Sequence, residues 1–249
     1  MTLTVRGLVI RVVPYREYDK LIAILTEEHG KLFFKANAVR SLVNPNSAAC
    51  NLFSYSEFVL QKKQDRFYLQ KAQILSLPLG HQCDPATLSV ASYFGELCDD
   101  VGRDTEGAGV ALRLLMNALH LLKKNDRPIS LIKAVFELRL LSSIGFLPQL
   151  NTCGNCSATD EDSLEYFHTA EGVVLCRECA YATDARRISL SALKLLQRTV
   201  CVSESQAYAI RLEDDLLYEF SQICESYTLS QLQREFKTLS FYHQMKDVT

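Results

Sequence analysis

Hydrophobic and polar positions change over short distances in the first third of the chain and then settle into a helical period. From Leu3 to about Leu77, β-branched and aromatic residues gather into five short runs, which predict five strands. The runs are Thr4 to Val13, Lys20 to Thr26, Lys31 to Ala38, Tyr55 to Lys62 and Arg66 to Leu75. His29-Gly30 before the third and Gln64-Asp65 before the fifth are the turn signals. Strands this short, in this number, suit a small barrel. In the first run Val5, Val9 and Val13 occupy one parity and Leu8, Ile10 and Val12 the other, the pattern of a barrel strand covered on both sides. The stretch from Arg40 to Cys50 is rich in polar and turn-forming residues and reads as a mobile loop.

After Pro78 the period becomes helical. Asp84-Pro85, a capping residue followed by proline at the first helical position, opens this part and places a domain boundary there, with residues 1–78 in front and 79–249 behind. Leu112, Leu115, Leu119 and Leu122 form one apolar stripe on a helix closed by Lys123-Lys124-Asn125, a sign favourable to the helix dipole. A helix from Ser130 to Ile144 is apolar almost all round and stops at Gly145 with Pro148 beyond, so it should be the buried central helix. Further helices fit Ser189 to Val202, Asp214 to Tyr227 and, with weaker periodicity, Gln231 to Gln244.

Charge divides the chain in the same place. Residues 1–77 hold 11 Lys+Arg against 6 Asp+Glu, a balance of +5, while the remainder holds 16 against 23, or -7. Such a split suits a basic front end that meets a polyanion, joined to an acidic body with another task. The N-terminal residues show no basic stretch leading into an apolar run, and about 18 uninterrupted apolar residues occur nowhere, so neither secretion nor membrane spanning is expected. Nine cysteines without a signal peptide fit a reducing compartment, where metal binding or buried thiols are expected in place of a disulfide framework, and the expected location is the cytoplasm.

Four of the cysteines carry chemistry. The pairs Cys153/Cys156 and Cys176/Cys179 enclose 19 residues, the spacing of paired-knuckle zinc sites. Two residues between thiols let both sulfurs face one ion from a tight turn, and Gly154-Asn155 supply the permissive backbone for it. Four thiolates close a tetrahedral shell and leave no position for water, so a zinc ion here is structural, defining a module at about residues 150–182. Redox-active thiols are the competing reading, but one such pair would serve that purpose. The deaminase pattern is absent, since His168 and Glu171 have the wrong spacing and neither cysteine pair follows proline. Cys50, Cys83, Cys98, Cys201 and Cys224 stand alone and read as small core residues.

Nucleotide chemistry has no footing. No phosphate-binding loop, dinucleotide-binding glycine motif or hydrolase nucleophile elbow occurs, and the five histidines are scattered without partners at ligand or triad spacing. Neither a catalytic residue nor a nucleotide cofactor is expected.

The opening Gly7-Leu-Val-Ile-Arg11-Val-Val-Pro-Tyr15-Arg-Glu17-Tyr-Asp19-Lys20, followed by Thr26-Glu-Glu-His-Gly30-Lys31, resembles the start of the RecO family of bacterial recombination mediators. Phe136-Glu-Leu-Arg139-Leu-Leu, with Gly145-Phe-Leu-Pro148 leading into Cys153 and Cys156, resembles that family's helix and zinc entry. What the resemblance implies is an α+β protein: an N-terminal OB-fold β-barrel, then an all-α helical domain carrying the four-cysteine zinc-binding insert. It further implies a nucleoid-associated DNA repair protein that binds single- and double-stranded DNA and anneals complementary strands without ATP. With RecR, such a protein helps load RecA onto SSB-coated single strands.

An OB barrel tracks a nucleic-acid backbone with cations and stacks bases on aromatics. The candidates for phosphate are Arg11, Arg16, Lys20, Lys35, Arg40, Lys62, Lys63 and Arg66, and those for stacking are Tyr15, Phe33, Phe34 and Tyr68. Part of this basic set is expected to be ordinary solvated surface, and one of Phe33 and Phe34 must face inward because they are adjacent in a strand. The resemblance also implies an apolar groove that receives the acidic C-terminal tail of SSB, and Arg139 is the candidate for its carboxylate. A snorkelling or salt-bridged Arg139 is the plainer reading. Two other functions remain open at this point: a zinc-stabilised RNA-binding or assembly adapter, and a metal enzyme in which His168 or water replaces one thiolate.

Overall fold

A computed structural model describes residues 1–41, 43–101 and 105–246. Its residues fall into two compact units, Met1–Asp126 with Phe236–Thr249, and Arg127–Glu235. In the first unit β1 (Thr2–Tyr15), β2 (Asp19–Thr26), β3 (Lys31–Ala36), β4 (Tyr55–Lys63) and β5 (Arg66–Ser76) close a barrel in the order β1-β2-β3-β5-β4. Neighbours are antiparallel except β3 and β5, which run parallel. The five expected runs are thus five strands of an OB-type barrel. Its interior is filled by Val5, Val9, Ile22, Ile24, Phe34, Phe58 and Leu60, with the rings of Phe34 and Phe58 centred 5.2 Å apart.

β1 is covered on both sides, as its two apolar parities predict. The pairing with β2 slips between Val9 and Arg11, a bulge that leaves Leu8 and Ile10 buried as well as Val9. α1 (Pro85–Val101) packs on β1 and β2, and α2 (Thr105–Lys124) packs on β2 and on α1. Close approach is possible because Gly95 lacks a side chain: a Cβ there would meet the Phe53 ring at 3.3 Å and the Ile10 carbonyl at 3.4 Å. Asp84 starts α1 as expected, accepting from the Thr87 N–H at 2.9 Å and the Thr87 hydroxyl at 2.6 Å. Because these helices bury their apolar faces on the barrel, the compact unit runs past residue 78.

Two expectations are refined. The stretch from Arg40 to Cys50, of which Leu42 lies outside the described residues, is a run of turns, with Val43 91% exposed, whose end packs into the barrel. Val39, Ala49 and Cys50 belong to the barrel core. The polar residues between them serve the backbone: the Ser47 hydroxyl donates to the Val39 carbonyl at 2.8 Å, and Asn46 Oδ1 accepts the Ala72 N–H at 2.8 Å. The helix expected from Gln231 to Gln244 is two helices. α7 (Asp214–Leu232) ends where Gln233 turns left-handed at φ 50, and α8 (Lys237–Lys246) begins afresh. Buried Phe236 sets its edge against Tyr93 of α1, 5.6 Å between centroids, and brings α8 into the first unit.

The second unit is built on α3 (Ile129–Ser143), with α5 (Leu190–Cys201) and α7 packed against it and the short α6 (Glu204–Tyr208) beside α5. β6 (Gln149–Cys153), β7 (Tyr166–His168), β8 (Val173–Leu175) and β9 (Arg186–Arg187) form a small sheet in the order β6-β8-β7-β9, and α4 (Arg177–Ala180) follows β8. α3 is central and buried, but not wholly apolar. Lys133, 1% exposed, holds Glu137 at 2.8 Å and Glu225 of α7 at 2.7 Å. Burial alone would push the lysine pKa down, but the two carboxylates hold it above its ordinary value.

Removing the cation would strand carboxylates in a nonpolar interior. Lys133→Met is therefore expected to destabilise the protein by about 3–5 kcal/mol. The check is a lowered urea midpoint for loss of helical circular dichroism.

Candidate functional site

The bulge in β1 sets which residues reach the open side of the barrel. Beyond it, Arg11, Val13 and Tyr15 face outward, opposite Leu21 and Ala23 on β2 and Phe33 and Lys35 on β3. The registers align them in rows: Arg11 with Ala23 with Phe33, then Val13 with Leu21 with Lys35 with Tyr68. Together with Arg66 they line one cleft of about 460 Å³. Val13, Leu21 and Phe33 are exposed apolar surface in its wall.

Three aromatic rings in this cleft, the exposed Phe33 and Tyr15 and the half-buried Tyr68, have a cation beside them. Phe33 has the Arg11 guanidinium and the Lys31 ammonium, each 5.3 Å from its centroid. Tyr15 has Lys35 at 5.1 Å and Arg16 at 5.5 Å, and Tyr68 has Lys63 at 5.7 Å. A planar base laid on such a ring would bring its phosphates within reach of the neighbouring cation.

Seven of the twelve expected barrel residues therefore line one cleft: Arg11, Tyr15, Phe33, Lys35, Arg66, Tyr68 and the buried Phe34. Arg16 and Lys63 flank two of its rings. Lys20, Arg40 and Lys62 do not line it; Lys20 donates to Asn51 Oδ1 at 3.2 Å, and Arg40 donates to the Arg16 carbonyl at 3.3 Å. Phe34 is a correction. It is 3% exposed and fills the barrel, whereas Phe33 is 48% exposed, because adjacent strand residues point to opposite faces. Lys31 was missed, although its even spacing with Phe33 and Lys35 marks it as belonging to the same outer face of β3.

The four cysteines converge. Their sulfurs all lie within 4.8 Å of one another, with Cys153 to Cys176 at 3.9 Å and Cys156 to Cys176 at 3.8 Å. Sulfurs about 2.3 Å from a tetrahedral metal ion stand about 3.8 Å apart, so the set fits such an ion. The backbone is shaped for it. A Cβ on Gly154 would lie 2.7 Å from a Val173 methyl, so only glycine lets the first knuckle sit against β8. At Cys153 burial pushes the thiol pKa up, but backbone N–H groups at Cys156, Cys176 and Asn155 outweigh it and bring the value down to about 6. Cys179 is pushed up to about 12, chiefly by its hydrogen bond with Cys176. One thiol is thus predisposed to ionise, whereas Cys156 and Cys179 are held above their ordinary values. His168 contributes nothing to this shell, since its Nε2 is 2.7 Å from Asp184 Oδ1.

Arg139 on α3 is half-buried and donates through Nη2 to the Val202 carbonyl at the end of α5. Among the described residues no helix is long and apolar enough to cross a membrane.

A closed five-stranded barrel with a cation-lined aromatic cleft, followed by helices and a sheet carrying a four-thiol cluster that fits a metal ion, defines a class of OB-barrel proteins with a helical body. The family model described as recombination protein O N terminal matches residues 1–78, and the one described as recombination protein O C terminal matches residues 82–240. The chain belongs to the RecO family of DNA repair proteins. It is similar to the DNA repair protein RecO of Acetivibrio thermocellus, 30% identical over 236 residues covering 94% of each chain. It is also similar to that of Symbiobacterium thermophilum, 30% identical over 240 residues and 95% of each chain. The likeness to that of Bacillus subtilis is 24% over 244 residues, 97% of this chain and 94% of that one.

Two outcomes follow from this geometry. Phe34→Ala should cost about 3–5 kcal/mol of stability, whereas the exposed Phe33→Ala should stay within about 0.5 kcal/mol, both read from urea denaturation. Elemental analysis should find metal in the purified protein at one ion per chain, and Cys153→Ser should lose it together with several degrees of melting temperature.

Proposed function

We propose that the barrel cleft binds single-stranded DNA, bases stacked on Phe33, Tyr15 and Tyr68 and phosphates met by Arg11, Lys35, Arg66 and the flanking Arg16 and Lys63. The observation that supports this most directly is the pairing of Phe33, Tyr15 and Tyr68 with cations. Such contacts read no base edges, so one strand is held without sequence preference and its Watson–Crick edges stay open to a second strand. Phosphate neutralisation lowers the repulsion between the two strands, and annealing proceeds without ATP or any catalytic residue. Lys20, Arg40 and Lys62, outside the cleft, would add attraction for double-stranded DNA from the same basic unit. The metal is zinc, holding the sheet of the second unit together and taking no part in chemistry.

Membership of the RecO family supports the wider role implied by the resemblance: with RecR, the protein helps RecA replace SSB on single strands. In that reading Arg139 takes the carboxylate of the SSB tail by exchanging its Val202 partner for it, and Arg139→Ala weakens tail binding.

Base stacking is worth about 1–3 kcal/mol per ring, so Phe33→Ala and Tyr15→Ala should each weaken single-strand affinity roughly five- to hundredfold. Annealing of SSB-coated complementary strands, followed with a dye-quencher pair, should slow in parallel. Alanine at Lys62, Lys63 and Arg66 together should flatten the salt dependence of binding. Wild-type protein that binds RNA as tightly as DNA and accelerates no annealing would favour an RNA adapter instead.

A further inference from the structure

Three cations at the cleft, Arg11, Lys31 and Lys35, are held by carboxylates. Arg11 and Lys31 both reach the carboxylate of Asp99, near the C-terminal end of α1, at 3.1 Å each, and Lys31 also donates to the Asp99 backbone carbonyl. Lys35 reaches Asp19 at 2.8 Å, and Asp19 is fixed in turn by the Ala38 N–H at 3.0 Å. These contacts lower the pKa of Asp19, Lys35 first and Ala38 second, so it is charged at neutral pH. The result is two units of one design: a carboxylate behind, one or two cations in the middle, and an exposed ring in front. Asp99, Arg11, Lys31 and Phe33 make one; Asp19, Lys35 and Tyr15 make the other.

Both carboxylates are set back, with side chains 18% and 16% exposed, while Arg11 is half open to solvent. A phosphate approaching the cleft therefore meets cations already paired with carboxylates that are partly shielded from water, where such pairing is stronger than at an open surface. Three of the four cations next to these two rings are paired with two carboxylates.

We infer that Asp19 and Asp99 limit the affinity of this face for single-stranded DNA: they position the cations beside the rings and compete with phosphate for them. The inference rests on the DNA-binding reading of the cleft. Its consequence is a grip that stacking directs and that electrostatics holds below its maximum, so that strands exchange on the protein and are released as a duplex. A protein built for permanent coating would have no use for carboxylates at these positions.

The test is Asp19→Asn and Asp99→Asn, made separately, with binding of a fluorescein-labelled oligodeoxythymidine followed by anisotropy over a range of salt. Asparagine at 19 keeps an acceptor for Ala38, and melting temperatures verify that each variant is folded; Asp19 does not depend on the helix contacts of Asp99. Each substitution adds one net positive charge beside the bound strand. Affinity at low salt is expected to rise roughly three- to tenfold, and the slope of log affinity against log salt to steepen by up to about one. A purely structural role predicts weaker binding and an unchanged slope. Unchanged or weaker binding by both variants, with Phe33→Ala still impairing the wild-type interaction, overturns this inference and leaves the DNA-binding cleft standing. Failure of the wild-type protein to bind the oligonucleotide, or indifference to Phe33→Ala, removes both.

Discussion

A small closed barrel imposes one constraint from which the rest of the first unit follows: each strand residue points either into an apolar interior or out of it, and a single slip reverses every side chain beyond it. Ile22, Ile24, Phe34 and Ala36 fill the inside of β2 and β3, which commits Lys31, Phe33 and Lys35 to the outside. The bulge in β1 provides the other half of the cleft. Before it, Leu8 and Ile10 are buried outside the barrel beneath the helices; after it, Arg11, Val13 and Tyr15 are open. One irregularity thus divides the outer surface of a single strand into a part that holds the helices and a part left for a ligand.

The electrostatics of the cleft build on that geometry. Long cations on an exposed strand lose side-chain entropy when held in place, and alone they would swing into water. Asp99 and Asp19 hold them near the rings at the cost of part of their charge. The pairing also explains why a region with a balance of +5 presents less positive charge in the cleft than its lysines and arginines suggest. The helices matter here too, since Asp99 comes from α1. The cleft is therefore a product of the barrel and its helical cover, although Asp99 lies beyond the residues that form the strands.

How much of this was legible in the sequence depended on the distance over which each pattern acts. Strand runs, the Asp84 cap and the cysteine spacing are local, and each appears in the structure close to where the sequence puts it. The choice between Phe33 and Phe34 is local as well but symmetric, because both are equally apolar, and only closure of the barrel decides it. The segment from Arg40 to Cys50 is exposed turns, as its composition suggests, but Ser47 and Asn46 also satisfy backbone groups of the fold and its end is buried, which composition does not reveal. Lys31 with Asp99 and Lys133 with Glu225 pair across 68 and 92 positions, and nothing in the sequence near either lysine announces that distant partner. Lys133 and Glu137 are four residues apart, a spacing that usually marks a solvated helix face; here it lies in the core because α7 brings a second carboxylate to the same ammonium.

The thiol cluster solves a different problem from the cleft. The second unit, residues 127–235, carries 10 Lys+Arg against 15 Asp+Glu, so it has no general attraction for a polyanion. Its sheet is made of strands of two to five residues, too short to bury much apolar surface between them. Four sulfurs from the end of β6, the turn after it and the start and interior of α4 are brought to one point, and Gly154 exists to let the first knuckle reach β8. Without a cation, one of these thiols ionises easily while others are held protonated. A tetrahedral divalent ion bound by the four sulfurs would remove that conflict and tie β6 to α4. An ion held there would do for these short strands what barrel closure does for the first unit: supply a long-range constraint that the local sequence is too brief to supply.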